Sequence, residues 1–437
     1  MFVCRHTYVN IMKLPKRKWT DPPMTKSSKA TASLMAMLAL LSALGPFAID
    51  MYLPAFPQMM QDLNTSAATI QLTLTTFMLG MAVGQLVIGP LSDQFGRRKP
   101  LLIGACACLV ASVLCAVAPN VEFLIGMRFV QGFAGAAGVV LARAIVSDSA
   151  RGVHAAKMFS IMMAVGGIAP VLSPLAGGGV IGFAGWRGAF WALAVLNLLM
   201  VIGSIFIVKE SLPLERRSKG GLKELFSNTG RVLGNKRYLG FAFAFAFSMA
   251  AMFGYISASP FVYQNILGLS ATAFSMVFAL NALGLTVTSI VGVKLVGALG
   301  PLRMTYIGVS ALVVFSAVLL AVVVVGSTPL IPTLVVIFLA ISSLGFVFGN
   351  AAALASDQVK EYAGSGSAIM GALQFALAAI ASPLVGLAGE GSAMPMAVVM
   401  LVAGVIALLS LLAFTRGAAV LPDAERVERE LDPVSPH

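Results

Sequence analysis

Twelve times along this chain a run of about 20 apolar residues ends in a short polar break, and each run is long enough to cross a bilayer as a helix. A spanning helix satisfies all its backbone hydrogen bonds internally, as the hydrocarbon core demands. The runs lie at about 33–56, 68–91, 100–118, 123–146, 158–181, 187–208, 238–261, 273–298, 304–325, 329–352, 365–388 and 394–415. Apolar residues make up 59% of the chain and charged residues only 11%, too little polar matter to cover so much apolar surface in water. The expected fold class is an all-α polytopic membrane protein. Span five is rich in Gly and Pro, and spans nine and ten are parted only by Ser327, Thr328 and Pro329.

The formal net charge of +12 does not indicate nucleic-acid binding, because the basic residues are dispersed between spans. Their distribution follows topology instead. Arg97, Arg98, Lys99, Arg151, Lys157, the segment from Lys209 to Arg237, Arg303 and Lys360 fall on one side, against Arg187 alone on the other. By the positive-inside rule that side, and both termini with it, is cytoplasmic. Domain boundaries follow: a basic tail over 1–32, six spans over 33–208, a linker over 209–237, six spans over 238–415 and a second tail over 416–437. Within the linker, Leu222, Leu225 and Phe226 fall at helical spacing, as in a short surface helix or a solvated linker. The first apolar run is too long for a signal peptide, and Met24 opens a sensible shorter start; N-terminal mass spectrometry would settle which Met is used. Cys106 and Cys108 face different sides of one span, and all three histidines lie outside the spans, so neither a metal site nor an intramembrane histidine is expected.

One carboxylate, Asp50, sits well inside a span, where a charge costs roughly 2.5–3.5 kcal/mol on insertion scales. Arg128, in span four, needs a partner or a route to water. Both lie about 9 Å below the same surface at about 1.5 Å rise per residue, so the pair can meet; the alternative is that Arg128 snorkels to the interface. The ordinary aspartate pKa is near 3.9; burial and a neighbouring cation act on it in opposite senses. A carboxyl so placed, reached alternately from each side, is the expected proton-coupling group. Tyr52, Asn281 and Gln374 are candidates for lining a substrate cavity, or else for helix–helix hydrogen bonds. The run Phe241, Phe243, Phe245 and Phe247 winds around its helix, which suits lipid contact and packing.

Three strings carry further information. The loop Gly89-Pro90-Leu91-Ser92-Asp93-Gln94-Phe95-Gly96-Arg97-Arg98-Lys99 sets Asp93 among cations, with Gly89 and Gly96 permitting a tight turn and close approach. The second-half counterpart, Gly292 to Arg303, lacks the acid. Span four reads Arg128-Phe129-Val130-Gln131-Gly132. Span five carries Gly166, Gly167, Pro170, Ser173, Pro174, Gly177 and Gly178, which permit bending and close packing or simply kink the helix. The halves also echo each other, with Asp50 to Phe56 set against Ser257 to Phe261, and Ser147-Asp148 against Ser356-Asp357.

These strings resemble the major facilitator superfamily. With Ile49 to Pro54, Ala142-Arg143-Ala144-Ile145-Val146 and Ser259-Pro260-Phe261-Val262, the chain is similar over about 33–415 to the Bcr/CflA group of bacterial drug exporters. The resemblance implies the major facilitator fold, with 12 transmembrane helices in two six-helix bundles. It implies a cytoplasmic latch between the halves at Gly89, Asp93, Gly96, Arg97 and Arg98, and an antiporter motif at Gly166, Gly167, Pro170, Pro174, Gly177 and Gly178. It further implies proton-driven export of small hydrophobic or amphipathic drugs across the bacterial inner membrane. A functional monomer, with no enzymatic activity, no cofactor beyond the proton gradient, no metal and no nucleic-acid partner, is expected. Export of an endogenous sugar or nucleoside, and a non-transporting receptor, are the alternatives; drug accumulation, metabolite release and ligand-induced proton flux tell them apart.

Overall fold

The computed structural model describes residues 28–149, 152–217, 229–326, 328–386 and 391–415. The tails up to residue 27 and beyond 415, Arg151 and the expected surface helix around Leu222, Leu225 and Phe226 lie outside them. In chain order the α-helices are α1 (Ser28–Asp50), α2 (Phe56–Asp62), α3 (Ala67–Phe95), α4 (Arg98–Ala116), α5 (Val121–Ser149), α6 (Gly152–Ile207), α7 (Lys236–Phe261), α8 (Ala271–Leu299), α9 (Pro301–Gly326), α10 (Leu330–Ser343), α11 (Phe348–Gln358), α12 (Ala363–Leu384) and α13 (Met394–Phe414). Among the described residues there is no strand.

Among the described residues, eleven helical segments are long and apolar enough to cross a membrane, and the longest, Ile161–Ile207, has 47 residues. At about 1.5 Å per residue that stretch is roughly 70 Å long, over twice the hydrocarbon thickness, so it holds two crossings. They part at Gly185, whose φ of 64° and ψ of −173° leave the helical region. Twelve spans result, as the apolar runs predict. The first is broken where Pro54 follows Asp50, and continues through a 3-10 turn into α2. The tenth is likewise broken, by a 3-10 turn at Leu344–Phe346, and runs on to Gln358, six residues past its expected end.

The internal repeat is visible in how α3 and α8 begin and end. Each has 29 residues. Ser66 and Ser270 cap their N-termini, accepting from Thr69 N and Ala273 N, each at 3.2 Å. Gly96 and Gly300 end them at φ 87° and 76°, a backbone conformation that Cβ atoms disfavour. Within the first half, small residues bring helices together: a Cβ on Gly132 of α5 would strike the backbone of Phe77 on α3.

Helices α1 and α3–α6 form one bundle and α7–α13 the other. The bundles meet along two seams, α3 against α12 and α6 against α8. At the end carrying Asp62 the seam is tied by Gln71, whose Nε2 donates to Ser257 O at 3.1 Å, and by Gln264, whose Nε2 donates to Pro54 O at 3.1 Å. The Phe56 and Phe261 rings meet there, 5.9 Å apart. Of the phenylalanine run, Phe241 and Phe245 are buried in the second bundle while Phe243 and Phe247 pair with each other, so packing rather than lipid contact dominates.

Candidate functional site

Asp50 is the last residue of α1 and is buried. Ser173 Oγ on α6 donates to its Oδ2 at 3.4 Å, and Oδ1 has no hydrogen-bond partner among the described residues. The contact with α6 is close because Gly177, one turn beyond Ser173, packs its bare Cα against the backbone of Met51. On the other side of α6, Gly178 lies against Ser275, and Thr286 Oγ1 donates to Gly167 O at 3.2 Å, both on α8. Span five is therefore wedged between Asp50 and the second bundle. A dry carboxyl with a free oxygen at a seam between two bodies is chemically equipped to take up and release a proton.

Arg128 is at the expected depth but forms no ion pair with Asp50, contrary to expectation. Its guanidinium donates to Ala48 O at 2.9 Å, to Thr73 O at 3.4 Å and to Gln131 Oε1. It also lies 4.5 Å from the Tyr52 ring centroid and 4.3 Å from that of Phe77. The side chain neither snorkels nor pairs with a carboxylate; backbone carbonyls and aromatic faces take up its charge. By holding Ala48 and Tyr52, it fixes the turn on either side of Asp50. The polar chain continues inward: Gln131 Nε2 donates to Ser112 Oγ at 2.7 Å, and so does Asn197 Nδ2 at 3.1 Å. Replacing Arg128 by Ala leaves these acceptors without a donor in a dry site. The expected cost is on the order of 3 kcal/mol, with only partial recovery in Arg128→Lys, which lacks the planar fork. Thermal unfolding of the purified variants checks this.

The candidate cavity residues are divided. Tyr52 is buried and its hydroxyl donates to Thr73 Oγ1 at 3.0 Å, since Thr73 itself donates to Ile70 O. Asn281 Nδ2 donates to Tyr255 Oη at 2.8 Å and Tyr263 Oη at 3.1 Å. Both tie helices together in this conformation, the alternative left open by the sequence. Gln374 is half-buried on α12 and makes no hydrogen bond among the described residues.

At the opposite end of the first bundle, Arg97 pairs with Asp93 and, at 2.9 Å, with Asp148. Arg98 donates to Ile205 O at 2.9 Å. Every one of these partners belongs to the first bundle, so the loop does not latch the two halves together here; it clamps α3, α5 and the exit of α6. In the second half Asp357 pairs instead with Lys360 at 2.7 Å, an asymmetry that follows from the missing acid. Gly89 lies within α3, where a Cβ would make only ordinary contact with Val140; the tight approach expected there belongs to Gly96. A Cβ on Gly96 would collide with Glu210 and Arg217. Likewise Gly166 has open space around it.

Glu210 was not singled out by the sequence. Its carboxylate accepts from Arg97 N at 2.8 Å, Arg98 N at 3.2 Å and Leu212 N at 3.0 Å, capping α4 from the start of the linker. Burial alone would raise this carboxyl; the three backbone N–H groups and the Arg217 charge outweigh it and hold the group below its ordinary value. The cap's contribution is thus complete above the unfolded pKa, near 4.3, and is lost as pH falls through the lower folded value. Amide exchange at Arg97 and Arg98, corrected for intrinsic rates, should rise on acidification below about 4. Glu210→Gln should show the faster exchange already at neutral pH.

Three comparisons place this geometry among known proteins. The Major Facilitator Superfamily profile matches residues 38–383. The chain is 37% identical over 396 residues to the protein named Uncharacterized MFS-type transporter YdgK of Bacillus subtilis, covering 90% of this chain and 97% of that one. It is 30% identical over 386 residues to the Bicyclomycin resistance protein homolog of Haemophilus influenzae, covering 88% and 96%. Multidrug resistance protein MdtL of Escherichia coli matches at 29% over 242 residues, 55% of this chain and 61% of that one. In fold, the chain is similar to the xylose transporter XylE from E. coli in a partially occluded inward-open conformation, with a TM-score of 0.69 at 16% identity over 90% of this chain and 100% of that one. These relatives fit the likeness to the Bcr/CflA group.

Proposed function

Because the chain belongs to the major facilitator superfamily, we propose that it is a proton-coupled antiporter exporting drug-like amphipathic molecules across the bacterial inner membrane. The observation that carries this is Asp50: a buried carboxyl with one partnerless oxygen, in contact through Ser173 with the glycine- and proline-rich helix that forms the seam. The names of two relatives, one for bicyclomycin resistance and one for multidrug resistance, support drugs as cargo. The excess of Lys and Arg at the Arg97 end supports a cytoplasmic location for that end and for both termini. The hydrogen bonds of Gln71 and Gln264 then close the periplasmic end.

In the proposed cycle Asp50 holds the proton and Arg128 holds the turn that carries it. Drug binding beside Asp50 favours loss of the proton to the cytoplasm. Protonation from the periplasm favours drug release, and rocking of the two bundles exchanges access. The test is drug accumulation across an antibiotic panel in an efflux-deficient host, with and without an uncoupler. Expression should lower accumulation of at least one compound class, and the uncoupler should abolish the difference. Unchanged accumulation throughout, together with release of a cellular sugar or nucleoside, would point to an endogenous cargo instead.

A further inference from the structure

The same five-residue pattern occurs once in each half, on a helix that lines a seam. Span five holds Ser173-Pro174-Leu175-Ala176-Gly177 on α6, and Ser382-Pro383-Leu384-Val385-Gly386 ends α12. Each serine reaches the far part of the first spanning helix of its own bundle. Ser173 Oγ lies 3.4 Å from Asp50 Oδ2, and Ser382 Oγ lies 2.9 Å from Ser257 Oγ. The repeat therefore sets Ser257 where the first half has Asp50. One half places an ionisable group there, and the other places a hydroxyl.

The two sites differ in what their glycines touch. Gly177 bears on Met51 of its own bundle, whereas Gly386 bears on α3 of the other, where a Cβ would meet Gln71 Oε1 and the Cα of Ala68. That close approach lets Gln71 reach into the second bundle. Its Nε2 donates to Ser257 O at 3.1 Å, Ser257 Oγ donates to Ser382 O at 3.1 Å, and Ser382 Oγ donates back to Gln71 O at 3.4 Å. All three residues are buried, so these bonds form away from water, where they are stronger. The inner end of the same seam is not tied in this way. Gln85, about 21 Å further along α3, packs on Gly371 of α12 and makes no hydrogen bond among the described residues.

We propose that Gln71, Ser257 and Ser382 form a neutral lock, the second-half counterpart of the Asp50 site, which holds the periplasmic end shut independently of the proton on Asp50. This rests on the rocking cycle proposed above and divides its labour between the two seams. Amide and hydroxyl groups do not ionise near neutral pH, so a proton arriving at Asp50 leaves the bonds of the lock unchanged. Proton control enters at the other seam, through Ser173 and α6. Gln71 and Ser382 are positioning residues that set how readily α3 and α12 part.

The experiment is amide hydrogen exchange of the purified full chain without drug or gradient, corrected for intrinsic rates. Gln71→Leu keeps the bulk and removes the amide. It should speed exchange over 256–266 about fivefold, the scale of one buried hydrogen bond, and slow exchange over 86–95 as the opposite end closes. Gly386→Ala, which pries the same seam apart, should do likewise and carries the test should Gln71→Leu not fold. Gly364→Ala on α12, with open space around it, should change neither segment. The shift should be as large in an Asp50→Asn background as in the wild type. Faster exchange at both ends would mean that these residues only stabilise the fold, and unchanged exchange in both seam variants would mean that they hold nothing shut; either result overturns the proposal. A shift that disappears in Asp50→Asn overturns the independence of the lock from the proton. No cargo enters this measurement, so failure of the exporter function would show in the accumulation assay alone and leave the exchange result readable.

Discussion

An Asp50→Asn variant should insert and fold like the wild type yet lose uphill, gradient-driven export by roughly 10²-fold or more, the scale on which a positioned proton-transfer group contributes. Asn keeps the volume and can still accept from Ser173 Oγ, which holds Asp50 Oδ2 at 3.4 Å, so the packing of α1 on α6 has no reason to change. What changes is the ability to carry a proton. Downhill exchange of drug across vesicles without a gradient should therefore survive better than concentrative export. Expression level, thermal midpoint and the two transport modes, measured side by side, separate loss of coupling from loss of fold. An Asp50→Asn protein that concentrates drug at the wild-type rate would remove Asp50 from the mechanism.

The second large effect is expected at Gly177. A Cβ there meets the carbonyl oxygen of Met51, a backbone atom that cannot rotate away. Gly177→Val should force α6 off α1, at the roughly 1–3 kcal/mol or more of an overpacked site, and carry Ser173 away from Asp50. Both the thermal midpoint and coupled transport should fall. Gly166, in the same motif but with open space around it, supplies the control. Gly166→Ala should be neutral or slightly stabilising, since Ala is favoured over Gly in a helix by about 1 kcal/mol. A Gly177→Val protein as stable and active as the wild type would mean that the seam does not depend on this contact.

The spans and their repeat could be read from the chain because apolar length and chain-turning residues act locally. Ser66 with Ser270, and Gly96 with Gly300, mark the same ends in both halves. Depth along the membrane was legible for the same reason: Arg128 does reach the backbone at Ala48, two residues from Asp50. What periodicity could not supply was which acceptors a long side chain chooses once there. The carbonyls of Ala48 and Thr73, and three aromatic rings, compete for Arg128 with the carboxylate. Ser173 was visible inside the span-five string, but only the close approach at Gly177 makes it the contact of Asp50. The inner loop shows the same limit. Its charge cluster was evident, whereas its partners Asp148 and Glu210 come from 50 and more residues away and belong to the same bundle, so the cluster braces one half instead of joining two.

The most direct test of the central claim is the proton itself. Purified protein in weakly buffered solution, given a transported drug in the presence of a pH-sensitive dye, should release protons on binding. The release should be greatest where unliganded Asp50 is protonated and should vanish in Asp50→Asn. Equal proton release from Asp50→Asn, or saturable drug binding by the wild type with no proton release at any pH between 5 and 9, would contradict the assignment of Asp50 as the group that exchanges proton for drug.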